Sequence, residues 1–310
     1  MSKIDPEIAA FRRHMADVSR DFPPFETLPP ETARRLAAQG RATLPNLPTP
    51  DVIMSEGKME SVSPPMKYRI YRPAGKITGV LFYLHGGGWT IFGVDTHDRL
   101  TRAYADQGNL LVIALDYALA PEHIFPTALH QITDAISTLA KDLAGDIGTL
   151  PLFLGGDSAG ANLSLATALA LRGTRALRLN GLLLSYGVYD SRCENASFDA
   201  YSGPEYMLTR DEMVFFWKRY IPEAPSRAHP QAHLVAAELH ALPPCFLTIA
   251  ECDVLSDESH AIAHQLQEHG NDVTTRVYKG ATHSFLEALD MAALARTAIK
   301  DQLEWIASNS

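Results

Sequence analysis

The sequence predicts an α/β fold: a mainly parallel central sheet flanked by helices, with a helical cap. Three observations predict it. Short apolar runs recur at Val80 to Leu84, Leu110 to Leu115, Pro151 to Leu154, Leu182 to Leu184 and Phe246 to Ala250, as in strands buried on both faces. Helical stretches separate them, at about 96–107, 127–143, 160–172 and 257–269, and alternating β and α elements build parallel, doubly wound sheets. The rhythm breaks once, between Asp190 and Leu242, where an aromatic-rich helical segment stands in place of a buried strand.

From the start of the chain, Ile4, Ile8, Phe11, Met15 and Val18 recur at helical spacing, with Asp5 placed to cap and Pro6 in the first turn. The polar face of this helix mixes acids and bases, which favours packing onto the rest of the protein over a membrane-surface role. A second short helix is expected around Glu31 to Gln39. Leu44-Pro45-Asn46-Leu47-Pro48-Thr49-Pro50 then reads as an extended, Pro-stiffened connector. Met66 to Arg72 alternates as an edge strand does. A last strand at Val273 to Tyr278 precedes a long terminal helix carrying Leu286, Leu289, Ile299, Leu303 and Ile306. Inside the inserted segment, Thr209-Arg210-Asp211-Glu212 has capping-box spacing ahead of Phe215, Phe216, Trp217 and Tyr220. This segment and the N-terminus are expected to cover the sheet end where ligands bind. The chain thus divides into 1–50 and 190–242 as cap, and 51–189 and 243–310 as core.

Composition narrows the function classes. The 310 residues are 46% hydrophobic and carry a formal net charge of −9, with 27 basic against 36 acidic residues and no basic run. A nucleic-acid partner is therefore not expected. Cys193, Cys245 and Cys252 are too few and wrongly spaced for a disulfide framework or a zinc site. Cys252 sits in an apolar run and reads as an inert, half-buried thiol. Lys3, Asp5, Glu7, Arg12, Arg13 and His14 interrupt any signal-peptide core, and no stretch reaches the roughly 18 apolar residues of a membrane span. A soluble, cytoplasmic protein is the expectation.

Gly156-Asp157-Ser158-Ala159-Gly160 has the G-x-S-x-G pattern, entered from an apolar strand and left through the small-residue helix that begins at Ala161. Such a turn needs glycines where backbones approach closely, and it leaves Ser158 exposed on a strained elbow. The helix N-terminus behind it favours developing negative charge. His85-Gly86-Gly87-Gly88-Trp89 follows a buried strand. Its glycines can present backbone N–H groups to an oxyanion, and Gly87, Gly88 and Ala159 are the expected donors. His85 is expected to hold this loop by hydrogen bonding.

A serine hydroxyl needs a base, and the base needs an orienting carboxylate. His283 follows the last strand and is placed to be that base. Ser284 and Glu287 have capping-box spacing for the helix beyond it. Asp253 ends the run Phe246 to Cys252 and is the expected carboxylate, ahead of Glu251 and Asp257. Asp257 and Glu258 fit a first helical turn through the macrodipole alone. His260 with His264, and His229 with His233, have the i, i+4 spacing a metal can use. Neither pair lies in an H-E-x-x-H pattern or near a further ligand cluster, so no metal is expected.

With these motifs the chain resembles the hormone-sensitive-lipase-like branch of the α/β-hydrolases, the bacterial family IV esterases in particular. The resemblance runs from about residue 66 to the end. It is strongest at His85 to Trp89, Asp116-Tyr117-Ala118-Leu119-Ala120-Pro121-Glu122, Gly156 to Gly160, Asp253 and His283. It implies an α/β-hydrolase fold, carboxylester hydrolysis without a cofactor, and a cap made from the N-terminus and an insertion after the sixth strand. It matches Ser158, Asp253 and His283 to nucleophile, acid and base, and Gly87, Gly88 and Ala159 to the oxyanion donors. A homodimer is an assembly it allows. Three positions depart from the family pattern. Ala118 stands where an arginine is common, removing a local ion pair, while Val254 and Ser284 replace the residues usual after acid and base.

Trp89, Phe92, Tyr186, Met207, Leu208 and Phe215 are the candidates for an apolar substrate pocket, although aromatics at such positions also pack as core. A lidded pocket suits short- to medium-chain esters through an acyl-enzyme, with activity rising with pH as the base loses its proton. Lactones, carbamates and amides are the alternative substrates. A non-catalytic binding module on the same fold is the alternative from another class; a long-chain lipase is the third.

Overall fold

The computed structural model describes residues 4–46, 48–49, 51–174, 177–203 and 205–310. Leu47 and Pro50 of the expected connector, and the first residues through Lys3, lie outside them. The first helix, α1 (Pro6–Ser19), starts where Asp5 accepts hydrogen bonds from the N–H groups of Glu7 and Ile8. Its apolar face, with Ile8 and Phe11 fully buried, packs onto the protein. Helix α2 (Pro30–Ala42) follows.

Eight strands form one sheet. They are β1 (Ile53–Met59), β2 (Met66–Arg72), β3 (Gly79–Leu84), β4 (Leu110–Asp116), β5 (Leu152–Asp157), β6 (Gly181–Ser185), β7 (Cys245–Cys252) and β8 (Val273–Thr282). Their order in the sheet is β1-β2-β4-β3-β5-β6-β7-β8. β1 and β2 run antiparallel to their neighbours, and all other pairs are parallel. β2 is therefore not the edge strand. Sequence reading missed β1, because IMSEGKM has one buried side chain and lacks the period of two that marks a half-buried strand.

The interior strands follow their composition. In β3, Val80, Phe82 and Leu84 join the core on one side of the sheet while Leu81 and Tyr83 join the other, as side-chain alternation requires. Helices α3 (Asp98–Gly108), α4 (Thr127–Asp142), α5 (Ala144–Ile147) and α6 (Ala159–Leu171) connect the first parallel strands. Between β6 and β7 lie α7 (Ala196–Ala200) and α8 (Arg210–Tyr220). Thr209 and Glu212 form the expected capping box at the start of α8. The chain then closes with α9 (Ser256–Glu268) and α10 (Ala293–Ser308).

The terminal helix differs from expectation. Leu286 and Leu289 lie outside it, in and just after a short 3-10 turn at Phe285–Ala288. Ser284 is left-handed at φ 59° and makes no capping hydrogen bond. The Glu287 side chain turns inward instead, onto two arginines. A buried carboxylate needs charged partners, and Arg41 and Arg99 supply them there. Among the described residues, no helix is long and apolar enough to cross a membrane.

Candidate active site

Strand register brings the chemistry together. Leu84 pairs with Gly156, so the glycine loop after β3 leaves the sheet beside the turn after β5. Cys252 pairs with Thr282, so Asp253 and His283 leave their strands side by side. A register shift between Ala250 and Cys252 re-aims the end of β7.

Ser158 sits between β5 and α6 at φ 54° and ψ −119°, a backbone conformation that costs a non-glycine residue on the order of 1–3 kcal/mol. The elbow closes only because its glycines lack side chains. A Cβ on Gly160 would lie 1.9 Å from the Leu84 carbonyl oxygen, and one on Gly156 2.3 Å from the same atom. Ser158 Oγ lies 3.0 Å from His283 Nε2, and His283 Nδ1 lies 2.8 Å from Asp253 Oδ2. The other Asp253 oxygen accepts a hydrogen bond from the N–H of Leu255 at 3.1 Å. This holds the carboxylate plane against the imidazole. Tyr186 stands edge-on to the same ring, with centroids 5.1 Å apart.

The rival carboxylates are engaged elsewhere. Glu251 accepts from the Gly280 N–H, Asp257 from that of Ser197, and Glu258 from those of Tyr189 and Asp190. Burial pushes the Glu258 carboxyl well above the usual range, more than its two backbone donors lower it. Cys252 is fully buried, deeper than expected. His264 faces Glu268 on the surface of α9, and His233 faces Asp190.

The glycine loop is pinned from several sides. His85 Nδ1 is 2.7 Å from the Gly86 carbonyl oxygen, so that nitrogen carries the proton, and the ring stacks on Tyr117. Asp157 accepts from the Gly86 N–H at 3.0 Å and the Tyr83 hydroxyl at 2.9 Å. Arg34, on α2, donates to the carbonyls of Thr90 and Ala120 and makes a two-pronged pair with Glu122. Glu122, in the same run as Ala118, thus takes its ion pair from outside that run. None of the backbone N–H groups of Gly87, Gly88 and Ala159 donates to another group among the described residues.

Ser158, His283, Gly87 and Gly88 open onto a cavity of about 360 Å³. Phe92, Met207 and Leu208 line it as expected. Trp89, Tyr186 and Phe215 do not. Trp89, at a φ of 57°, is fully buried and stacks on Tyr220. Tyr186 packs behind His283, and Phe215 packs beside Phe216 under the Arg219 guanidinium. Thr209, Glu212, Met213 and Phe216 take the wall instead. Their i, i+3, i+4, i+7 spacing is one helix face, and it was readable in the sequence. The opposite wall comes from the N-terminal part, through Met15, Phe22, Leu36 and Arg41. Met15 belongs to the apolar spacing of the first helix, and no sequence motif marks Phe22, Leu36 or Arg41.

The profile of a family described as having the alpha/beta hydrolase fold matches residues 81–287. This chain belongs to the α/β-hydrolase family. It is a serine carboxylesterase of the hormone-sensitive-lipase-like branch. The esterase is 34% identical over 238 residues to an acetyl esterase of Salmonella schwarzengrund, across 75% of this chain and 73% of that protein. Its fold matches the hyperthermophilic esterase of the archaeon Pyrobaculum calidifontis with a TM-score of 0.87 at 27% identity, over 99% and 98% of the two chains. A thermostable esterase of Pseudomonas putida matches this esterase with a TM-score of 0.88, also at 27% identity, over 97% of both chains.

Proposed function

We propose that the enzyme hydrolyses short- to medium-chain carboxylic esters through an acyl-enzyme, with Ser158 as nucleophile, His283 as general base and Asp253 as its orienting carboxylate. The hydrogen-bonded line from Ser158 through His283 to Asp253, opening on the cavity, carries this reading. Neutral His283 takes the Ser158 hydroxyl proton as Oγ attacks the ester carbonyl. The N–H groups of Gly87, Gly88 and Ala159 hold the oxyanion, and Asp253 stabilises the imidazolium. Collapse expels the alcohol, which leaves with the proton from His283. Water then attacks the acyl-enzyme by the same steps and releases the acid.

Chain length follows from room. The cavity of about 360 Å³ is at the small end for ligand pockets. Phe216, one of its walls, closes down on the glycine loop: a Cβ on Gly88 would meet its ring at 2.2 Å. Residues 1–50 and 190–242 act as the cap that supplies these walls.

A series of p-nitrophenyl esters from acetate upward, hydrolysed by wild type and Ser158→Ala, tests the reading. Turnover is expected to be best on short chains and to fall by about 10⁶-fold in the variant. Undiminished turnover in Ser158→Ala removes the nucleophile assignment, and a preference for long chains removes the size argument. Light scattering tests the homodimer by looking for twice the 34.0 kDa chain mass.

A further inference from the structure

Behind the catalytic line lies a buried charged cluster that the reaction steps do not use. His97, at the start of α3, is 1% exposed. Its Nε2 faces two carboxylates, 3.4 Å from Asp157 Oδ1 and 3.5 Å from Glu287 Oε1. Its Nδ1 lies 3.0 Å from Thr96 Oγ1 and 3.4 Å from the Gly93 carbonyl oxygen. The Thr96 hydroxyl has its shorter contact, 2.8 Å, with the Gly93 carbonyl, and donating there leaves it an acceptor toward His97. Both ring nitrogens therefore face acceptors alone. A neutral imidazole must present one lone pair, and here it would point at an acceptor. The doubly protonated ring meets acceptors on both sides at once, with Nε2–H between the two carboxylates at ion-pair distance.

The two carboxylates sit at decisive places. Asp157 precedes Ser158 and accepts from Gly86 N–H, so it ties the glycine loop to the elbow. Glu287 lies four residues past His283 and is held by Arg41 of α2 and Arg99 of α3, each at 2.9 Å. We propose that His97, as an imidazolium, is a positioning residue for the reaction: it locks Asp157 and Glu287 together and so fixes the oxyanion loop against Ser158 and the His283 loop. This rests on Ser158 being the nucleophile.

The electrostatics agree. Burial alone would lower the affinity of His97 for its proton, but Asp157 and Glu287 outweigh it and raise it above the ordinary histidine range. Burial would raise the Asp157 carboxyl, yet the nearby His97 charge and the hydrogen bonds bring it down to about 2. His85, 5.5 Å away ring to ring, is pushed down to about 3 by burial and by His97. The two neighbouring imidazoles are thus shifted in opposite directions, His97 toward holding its proton and His85 toward losing it. The charged and titratable groups around His97 are Asp157, Glu287, Arg41, His85 and Tyr83, with Arg99 paired to Glu287 and Tyr104 beyond Tyr83. When His97 loses its proton at high pH, its two carboxylates lose the cation between them, and the loop loosens.

The experiment follows p-nitrophenyl acetate hydrolysis against pH in wild type, His97→Gln and Ser158→Ala. Wild-type kcat is expected to fall on the alkaline side as His97 deprotonates. His97→Gln, with no proton to lose, should show no such limb, and its neutral-pH kcat should drop by up to about a hundredfold with KM little changed. Wild-type kcat in the variant, or an unchanged alkaline limb, overturns the inference. Turnover surviving in Ser158→Ala instead overturns the nucleophile assignment, whatever His97→Gln does. Should His97→Gln fail to fold, nitrogen NMR on the wild-type enzyme decides. Both His97 ring nitrogens protonated at neutral pH supports the inference, and a neutral ring ends it.

Discussion

At the scale of single residues, backbone strain and hydrogen-bond direction do the work. Ser158 tolerates a positive φ because its N–H donates to the Ser185 carbonyl at 2.9 Å and α6 begins at the next residue. The local cost is offset by the packing of the whole turn. Asp253 illustrates direction. One oxygen faces His283 Nδ1 and the other is occupied by the Leu255 N–H. Asp253→Asn keeps the size and removes the charge, and an amide NH₂ turned toward Nδ1 would force the wrong imidazole tautomer. A fall in kcat of about 10⁴-fold is expected, with an unfolding midpoint close to wild type. A variant within tenfold of wild-type kcat would show that the carboxylate does not orient the base.

At the scale of elements, helix ends decide where side chains go. The capping box at Thr209 and Glu212 starts α8 and sets the phase that points Met213 and Phe216 into the cavity. Thr209→Ala removes one half of that box and should cost about 1 kcal/mol by denaturant unfolding. Because the frayed turn carries pocket wall and no reacting group, KM is expected to change more than kcat. A kcat loss with unchanged KM would contradict this. The Ser284–Glu287 spacing makes the complementary point. The same local pattern failed to cap, because Arg41 and Arg99 offer Glu287 charged partners inside the protein. A motif competes with everything that tertiary structure brings near it.

At the scale of the whole molecule, buried carboxylates join pieces distant in sequence. Glu287 links the His283 loop to α2 and α3. Glu258, on α9, accepts from the N–H groups of Tyr189 and Asp190 and so anchors the start of the inserted segment. Burial raises the Glu258 carboxyl well above its ordinary value. The folded state therefore keeps a proton that the unfolded chain releases at about pH 4.3, and the contribution of this group to stability falls as pH rises from there. Glu258→Gln should flatten that slope. In urea unfolding, its stability relative to wild type is expected to grow more favourable from pH 5 to pH 8. Parallel curves across that interval would show that Glu258 is ionised in the folded state.

By itself the sequence determined the α/β alternation, the elbow at Gly156 to Gly160, the glycine loop at His85 to Trp89, and the Ser158, Asp253, His283 order that the sheet register brings into line. These were legible because each rests on a local requirement: buried strand runs, glycine where backbones touch, and loops directly after strands. Tertiary structure alone decided which aromatics face the cavity, that Arg34 reaches the glycine loop, that β1 completes the sheet edge, and that His97 lies between two buried carboxylates. Composition makes Trp89, Tyr186 and Phe215 as apolar as Phe92 and Phe216. Only the packing of segments far apart in the chain fixes which of them is core and which is wall, because burial and charge pairing depend on neighbours that no local window contains.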